Sequence, residues 1–407
     1  MIKAIIPALV APLLTASVVA LAGEGPTLVV PATSEPLHLS LPVPAGVAGK
    51  AAAVSLRPEG DGAAAVPASL VPDVGRDGAP VEGRKRLVAT LPAADGPRRL
   101  RLETADAPAA STFRIADVDD GSVGIWEGDK PVLVYNHGVI SREGVPADRA
   151  RSSYVHPLYG VDGEVLSDDF PRDHYHHRGL FWAWPHVVVD GKEHDLWMLK
   201  GIRHKFERWL AREAGPASAT LGVENGWYVG DRRVLVERVW IEAHPTVGDA
   251  RAIDLALALT PEGSPVTLGG AAGKSYGGVN IRYAPGRDVR IVTPKGDGPD
   301  DLAMTPLPWA DLSERLAADG RTSGAALFVA PGHPDYPPTW LTRHYGVLCI
   351  GWPGVKPRTL EPAAATTLEY RVWIHRGPAE GERLARVAEA LAVGENLDWS
   401  DRGADKP

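Results

Sequence analysis

Eight residues, "RDHYHHRG" from Arg172 to Gly179, place three histidines and two arginines together in an otherwise acidic chain. Imidazoles titrate near neutral pH or ligate first-row metals, and a guanidinium holds a carboxylate or a developing oxyanion. Three readings follow: a metal-free acid/base site with Arg178 as anion clamp, a metal site, or a turn whose histidines satisfy backbone carbonyls. On an extended strand His174, His176 and Arg178 share a face and His177 takes the other, so all three imidazoles meet only where the chain bends. A divalent metal would take His174, His176 and a carboxylate such as Asp168 or Asp169. The HxHH spacing lacks the third donor of a specific zinc signature, so the metal-free site is favoured and the metal stays an alternative.

Other groups nearby complete a pocket on this reading. His174 or His177 moves a proton, with Tyr154 or Asp169 as its counterpart, while His156, His176, Arg178 and Trp182 bind substrate. "GGAAGKSYGGVNIRYAP" sets Lys274 in a glycine-rich turn and places Asn280 and Arg282 on one strand face, two cations suited to an acidic or hydroxylated ligand. "GHPDYPPTWLTRHYG" adds Arg343 and His344, with Trp340 and Tyr345 as a sugar platform or as core aromatics. Asp311 in "WADLS" is a weaker acid candidate and reads more readily as a turn or capping carboxylate. The chain has no GxSxG elbow and no HExxH motif, and its many acids do not reveal a glycosidase pair by spacing.

The elements that must position these groups read as strands. "RAIDLALALT" puts Ile253, Leu255, Leu257 and Leu259 on one face, and alternating segments recur from residue 27 onward with Gly and Pro between them. Only "EGERLARVAEALA", Glu380 to Ala392, has helical spacing. So many strands with almost no helical crossovers predict an all-β chain, a large antiparallel β-sandwich or supersandwich with few short helices. The expected divisions are a signal peptide over 1–22, an N-terminal β unit over 23–110, a main β-sandwich carrying the site over 111–378, and a helix and tail over 379–407.

The leader reading rests on Lys3, the apolar run Ile5 to Leu21 and a small-x-small site at Ala20-Leu21-Ala22, and it predicts a periplasmic or secreted protein. Past it, no stretch reaches membrane-spanning length without charges. The single cysteine, Cys349, sits in a strand-like run and reads as a structural thiol. A formal charge of -8 argues against nucleic acid as a partner, while a local basic pocket remains compatible with it.

The motifs "SSYVHPLYGVDGEVLSDDFPRDHYHHRGLFWAWPHV", "GKSYGGVNIR", "WADLS" and "HPDYPPTWLTRHYGVLCIGWPG" resemble the PmoA-like family of secreted bacterial proteins, also described as a domain of unknown function. The resemblance runs from about Phe113 to His375. It implies a β-sandwich protein of sugar metabolism, with His156 to Tyr159, His174, His176, His177, Arg178 and Lys274 on the family's motifs. The acidic residue that often follows the lysine is Ser275 here, which removes one acid/base candidate. The methane oxygenase suggested by the family's name is rejected, since such a subunit should span a membrane. The resulting expectation is a carbohydrate-active enzyme cleaving a glycoside or oligosaccharide, hydrolysis ahead of elimination. Its alternatives are a non-catalytic carbohydrate-binding protein and a metal-dependent sugar-processing enzyme.

Overall fold

A computed structural model describes residues 26–44, 47, 51–60, 62–316, 318 and 320–400. The expected leader lies outside these residues. Strands dominate, every strand pair is antiparallel, and the one α-helix among the described residues is Gly381–Glu395. The chain is all-β, as its alternation requires.

Two nine-stranded sheets form the body. The first has the order Thr305–Pro306, Thr339–Arg343, Val347–Gly351, Gly278–Arg282, Leu180–Ala183, Tyr154–Leu158, Lys130–Asn136, Ser122–Glu127, Phe113–Asp119. Its Leu133, Val155, Phe181, Ile281 and Leu348 meet Leu221, Val239, Leu257, Leu327 and Val372 of the second sheet in one continuous core. In the second sheet Ile253, Leu255, Leu257 and Leu259 of Ala250–Pro261 point into this core, as their period-two spacing demands. The opposite face of that strand carries Ala252, Asp254, Ala256 and Ala258, and these small side chains let a further layer press against it. Cys349 is buried in the core, and burial pushes its thiol up to about 12, as expected of a structural thiol.

The further layer has two parts. A seven-stranded sheet holds residues 27–105, closed on one edge by Trp399–Ser400, which pairs with Thr27 and Leu28. The helix presents Leu384, Val387 and Leu391 to Ala252, Trp309, Phe328 and Trp373 on the outer face of the second large sheet. Its Ala390 enters the core of the seven-stranded sheet instead. One helix therefore grips two layers. Side chains tie the seven-stranded sheet to the body: Arg238 reaches Asp77 at 2.8 Å, and the Trp240 indole N–H donates to the Gly78 carbonyl at 2.8 Å.

Candidate functional site

The loop between Tyr154–Leu158 and Leu180–Ala183 folds back over the end of the Gly278–Arg282 strand. The Asp168 amide donates to the Arg282 carbonyl at 2.9 Å, and the Arg282 amide donates to the Gly179 carbonyl at 2.8 Å. Gly179 closes the histidine motif because its φ of 62° lies in the left-handed region and an added Cβ would sit 2.3 Å from the Val155 carbonyl oxygen. Upstream the loop turns twice, with the His174 amide bonded to the Pro171 carbonyl and the His177 amide to the His174 carbonyl.

These turns overrule the extended-strand expectation. His174 and His177 stack with ring centroids 4.7 Å apart, and His176 packs edge-on at 4.6 Å from His177 and 5.5 Å from His174. All three imidazoles thus converge, while Arg178, which alternation placed beside them, turns inward. It is 0% exposed, donates to Asp169 Oδ1 and to the Tyr154 hydroxyl at 2.5 Å each, and lies over the Phe170 ring at 3.5 Å. A guanidinium so fully engaged is a structural anchor, and the substrate clamp expected at Arg178 is not formed. Tyr154 and Asp169 are committed to the same anchor, so neither is a free counterpart for a histidine. Burial, then the adjacent Asp169, also raises the Tyr154 phenol above its ordinary range, which keeps it protonated. His156 belongs to this side too: its Nδ1 is 2.9 Å from Ser167 Oγ, and burial lowers it to about 4.

On the solvent side the histidines meet a different set. His174 Nδ1 stands 2.9 Å from Asp173 Oδ2, at an angle too oblique for a straight hydrogen bond. Arg282 Nη2 donates to both oxygens of that Asp173 at 3.1 Å. The Arg282 guanidinium lies 5.0 Å over the Tyr345 ring, which stacks on His174 at 5.6 Å and is 48% exposed. Arg282 itself is 7% exposed, and its Nε and Nη1 have no protein acceptor. Burial, followed by the neighbouring imidazoles and arginines, lowers His176 to about 3 and His177 to about 2. Both rings are neutral at physiological pH and too weakly basic for the proton-transfer role expected of His177. Trp197 lines the floor of the cluster, 5.8 Å from His177 and 4.7 Å from Tyr276.

The remaining expectations divide the same way. Trp340 is 0% exposed with its indole N–H donating to the Leu307 carbonyl at 2.7 Å, and Trp182 is equally buried, so both are core residues and neither is a platform. The exposed aromatic is Tyr345. Lys274 is exposed on its turn and joins none of these contacts among the described residues, while the following Ser275 is fully buried, a position where an ionised carboxylate would be costly. Arg343 and His344 are held by the Asp301 loop, with His344 Nδ1 2.8 Å from Asp301 Oδ1. Asp311, read as a turn or cap, lies inside the strand Trp309–Leu316 and pairs with His375 at 2.8 Å.

The metal set His174, His176 and Asp169 is not assembled, since their donor atoms do not gather within 4.8 Å of one another. Among the described residues, three donors within 4.8 Å of one another occur at Glu242, His244 and Asp254, on the opposite side of the second sheet. The sequence reading missed these residues. The signal was available: Glu242 and His244 are two apart on one strand, and Asp254 is register partner of Glu242 on the next. Two cavities, of about 430 and 440 Å3, also lie on that side, between the seven-stranded sheet and the body.

A family model described as a family of unknown function, DUF6807, matches residues 122–389, more than half of the chain and the whole histidine turn. No curated protein matches the sequence. No helix among the described residues is long and apolar enough to cross a membrane.

Proposed function

The chain belongs to this family of unknown function, and on that premise we propose that it is an exported carbohydrate-active enzyme acting on an acidic sugar through the Asp173–His174–Arg282 cluster. The carbohydrate class rests on the motif resemblance to PmoA-like proteins, since the family description names no activity. The observation that carries the chemistry is Arg282, a buried guanidinium that orients Asp173 beside an accessible histidine and keeps two nitrogens without protein acceptors. A cation in that position neutralises a sugar carboxylate and the charge that builds on it when the neighbouring carbon loses its proton.

In this reading His174, beside the carboxylate of Asp173, removes the carbon-bound proton. The electron pair forms a carbon–carbon double bond as the glycosidic carbon–oxygen bond breaks, and the leaving oxygen takes a proton from water. Elimination now ranks ahead of hydrolysis, because paired-carboxylate hydrolysis needs two positioned acids and Asp169 is locked to Arg178. Tyr345, half-exposed and stacked on His174, offers a face for the sugar ring. That exposed face equally supports the second reading, a non-catalytic sugar-binding protein.

The test is incubation of the full chain with oligosaccharides containing uronic acids, keto-sugars or neutral sugars, read by mass spectrometry. Elimination gives fragments whose masses sum to the substrate, and hydrolysis gives fragments carrying one added water. His174→Ala should lower turnover by about 10²- to 10⁴-fold while binding persists. Unchanged turnover in His174→Ala removes the assignment, and binding with no product across the panel selects the non-catalytic reading.

A further inference from the structure

On the face of the second sheet away from the histidine turn, the cleft under the seven-stranded sheet is lined by Glu242, Asp254, Glu369 and Glu395 against Arg86 and Arg371. Four carboxyls and two guanidiniums thus share the lining of a space of about 430 Å3. Buried charge of one sign is costly unless a counterion or proton balances it.

The geometry narrows the counterion. Glu242 and His244 stand two residues apart at the end of Arg232–Ala243, and the His244 amide continues the ladder by donating to the Ala252 carbonyl at 3.0 Å. Their side chains therefore share a face, and Asp254 is the cross-strand partner of Glu242. The His244 side chain is wholly buried, with Nε2 2.8 Å from Asp254 Oδ2 and 3.6 Å from Glu242 Oε1. Ligand atoms about a tetrahedral ion with bonds of about 2.0–2.1 Å stand about 3.3 Å apart, so the His244–Asp254 pair opens by about 0.5 Å and the His244–Glu242 pair closes by about 0.3 Å to share one ion.

A second imidazole stands beside the cluster on the covering sheet. His38 projects from Leu37–Pro42 into the cleft, its ring centroid 4.5 Å from that of His244. Its Nδ1 is 2.9 Å from Thr90 Oγ1, which leaves Nε2 as the ring's remaining donor. Anchoring one ring nitrogen by a neighbour is how metal-binding imidazoles are usually oriented. Arg371 grips Asp254 with Nε on Oδ1 at 2.6 Å and Nη2 on Oδ2 at 2.9 Å. An ion on Oδ2 displaces the second of these contacts and keeps the first, so the carboxylate would bridge metal and guanidinium.

We propose that Glu242, His244 and Asp254 bind a divalent transition-metal ion, with His38 supplying a donor from the covering sheet. Two imidazoles and two carboxylates suit zinc, manganese or cobalt better than calcium, which prefers an all-oxygen shell. The ion joins two layers of the fold, and the adjoining cavity gives a ligand access to it.

The inference stands apart from the sugar reading, because its readout is metal binding and needs no substrate. The full chain is stripped with a chelator and titrated with Co²⁺ and Zn²⁺, following the cobalt visible spectrum, the metal-to-protein ratio and the unfolding temperature. One ion per chain is expected, with unfolding temperature rising as free metal rises. Glu242→Gln and His38→Gln should each weaken binding at least about 10-fold while circular dichroism stays native. The rival donor set is the histidine turn, so His174→Ala/His177→Ala is titrated alongside and should bind normally. Absence of stoichiometric binding overturns the proposal, as does binding lost in the His174/His177 variant but kept in Glu242→Gln. If Glu242→Gln fails to fold, His38→Gln decides alone by the same 10-fold criterion.

Discussion

Glu314 shows how one buried side chain sets a pH response. It lies inside Trp309–Leu316, 2% exposed, with Oε1 lacking a partner. Burial raises its carboxyl to about 7 from 4.5, although Arg282 pulls it the other way. A folded-state value above the unfolded one means that the folded protein holds the extra proton. Its stabilising contribution is full below about pH 4.5 and is lost as pH rises through about 7. Glu314→Gln should therefore gain up to about 3 kcal/mol over the parent at pH 8 and nothing near pH 4.5, measured by urea unfolding at both values. Equal gains at both pH values would contradict the assignment. Single residues were the least legible scale of this sequence. The histidine motif announced an enriched site, yet alternation predicted Arg178 beside His174, and two turns reversed that arrangement. Trp182 was expected to bind substrate and Trp340 to be a sugar platform or a core aromatic; both are core, and sequence gives an indole's presence and not its burial.

Elements were more legible, since period two and period 3.6 follow from backbone geometry alone. The strand Ala250–Pro261 has the inward residues its spacing required, and the helix observed at Gly381–Glu395 overlaps the expected Glu380 to Ala392. Hidden from periodicity was the helix's double engagement: Leu391 joins the apolar layer on the second sheet while Ala390, its neighbour, joins the other core. Leu391→Ala should cost about 2–4 kcal/mol and lower the unfolding temperature, whereas Arg386→Ala, on the partly exposed side, should cost under about 1 kcal/mol. Similar small losses at both positions would show that the helix is peripheral to stability. The bend that ends the histidine loop was not read from the sequence, although Gly179 stands where a left-handed φ and a near carbonyl admit no other residue without strain.

At the scale of the molecule, the all-β architecture followed from the number of strands and the shortage of crossovers. The packing of the seven-stranded sheet on the outside of the sandwich did not, because it depends on small residues such as Ala256 and Ala258 opposite a separately coded surface. Trp399 belongs to this assembly: its indole N–H donates to the Pro42 carbonyl at 2.7 Å, and its backbone pairs with Leu28. Trp399→Ala should loosen the seven-stranded sheet selectively, seen as faster protease cleavage within residues 27–105 while the histidine-turn region keeps its hydrogen-exchange protection. Uniform loosening of both parts would mean that the layers unfold as one unit. The pairing of Trp399–Ser400 with Thr27 and Leu28 has a further consequence in time. A ribosome releases residues 27–105 long before 399 and 400, so the growing chain carries an open strand edge until synthesis of the body is finished. That edge is where a holding chaperone, or a mistaken neighbour chain, finds its opportunity.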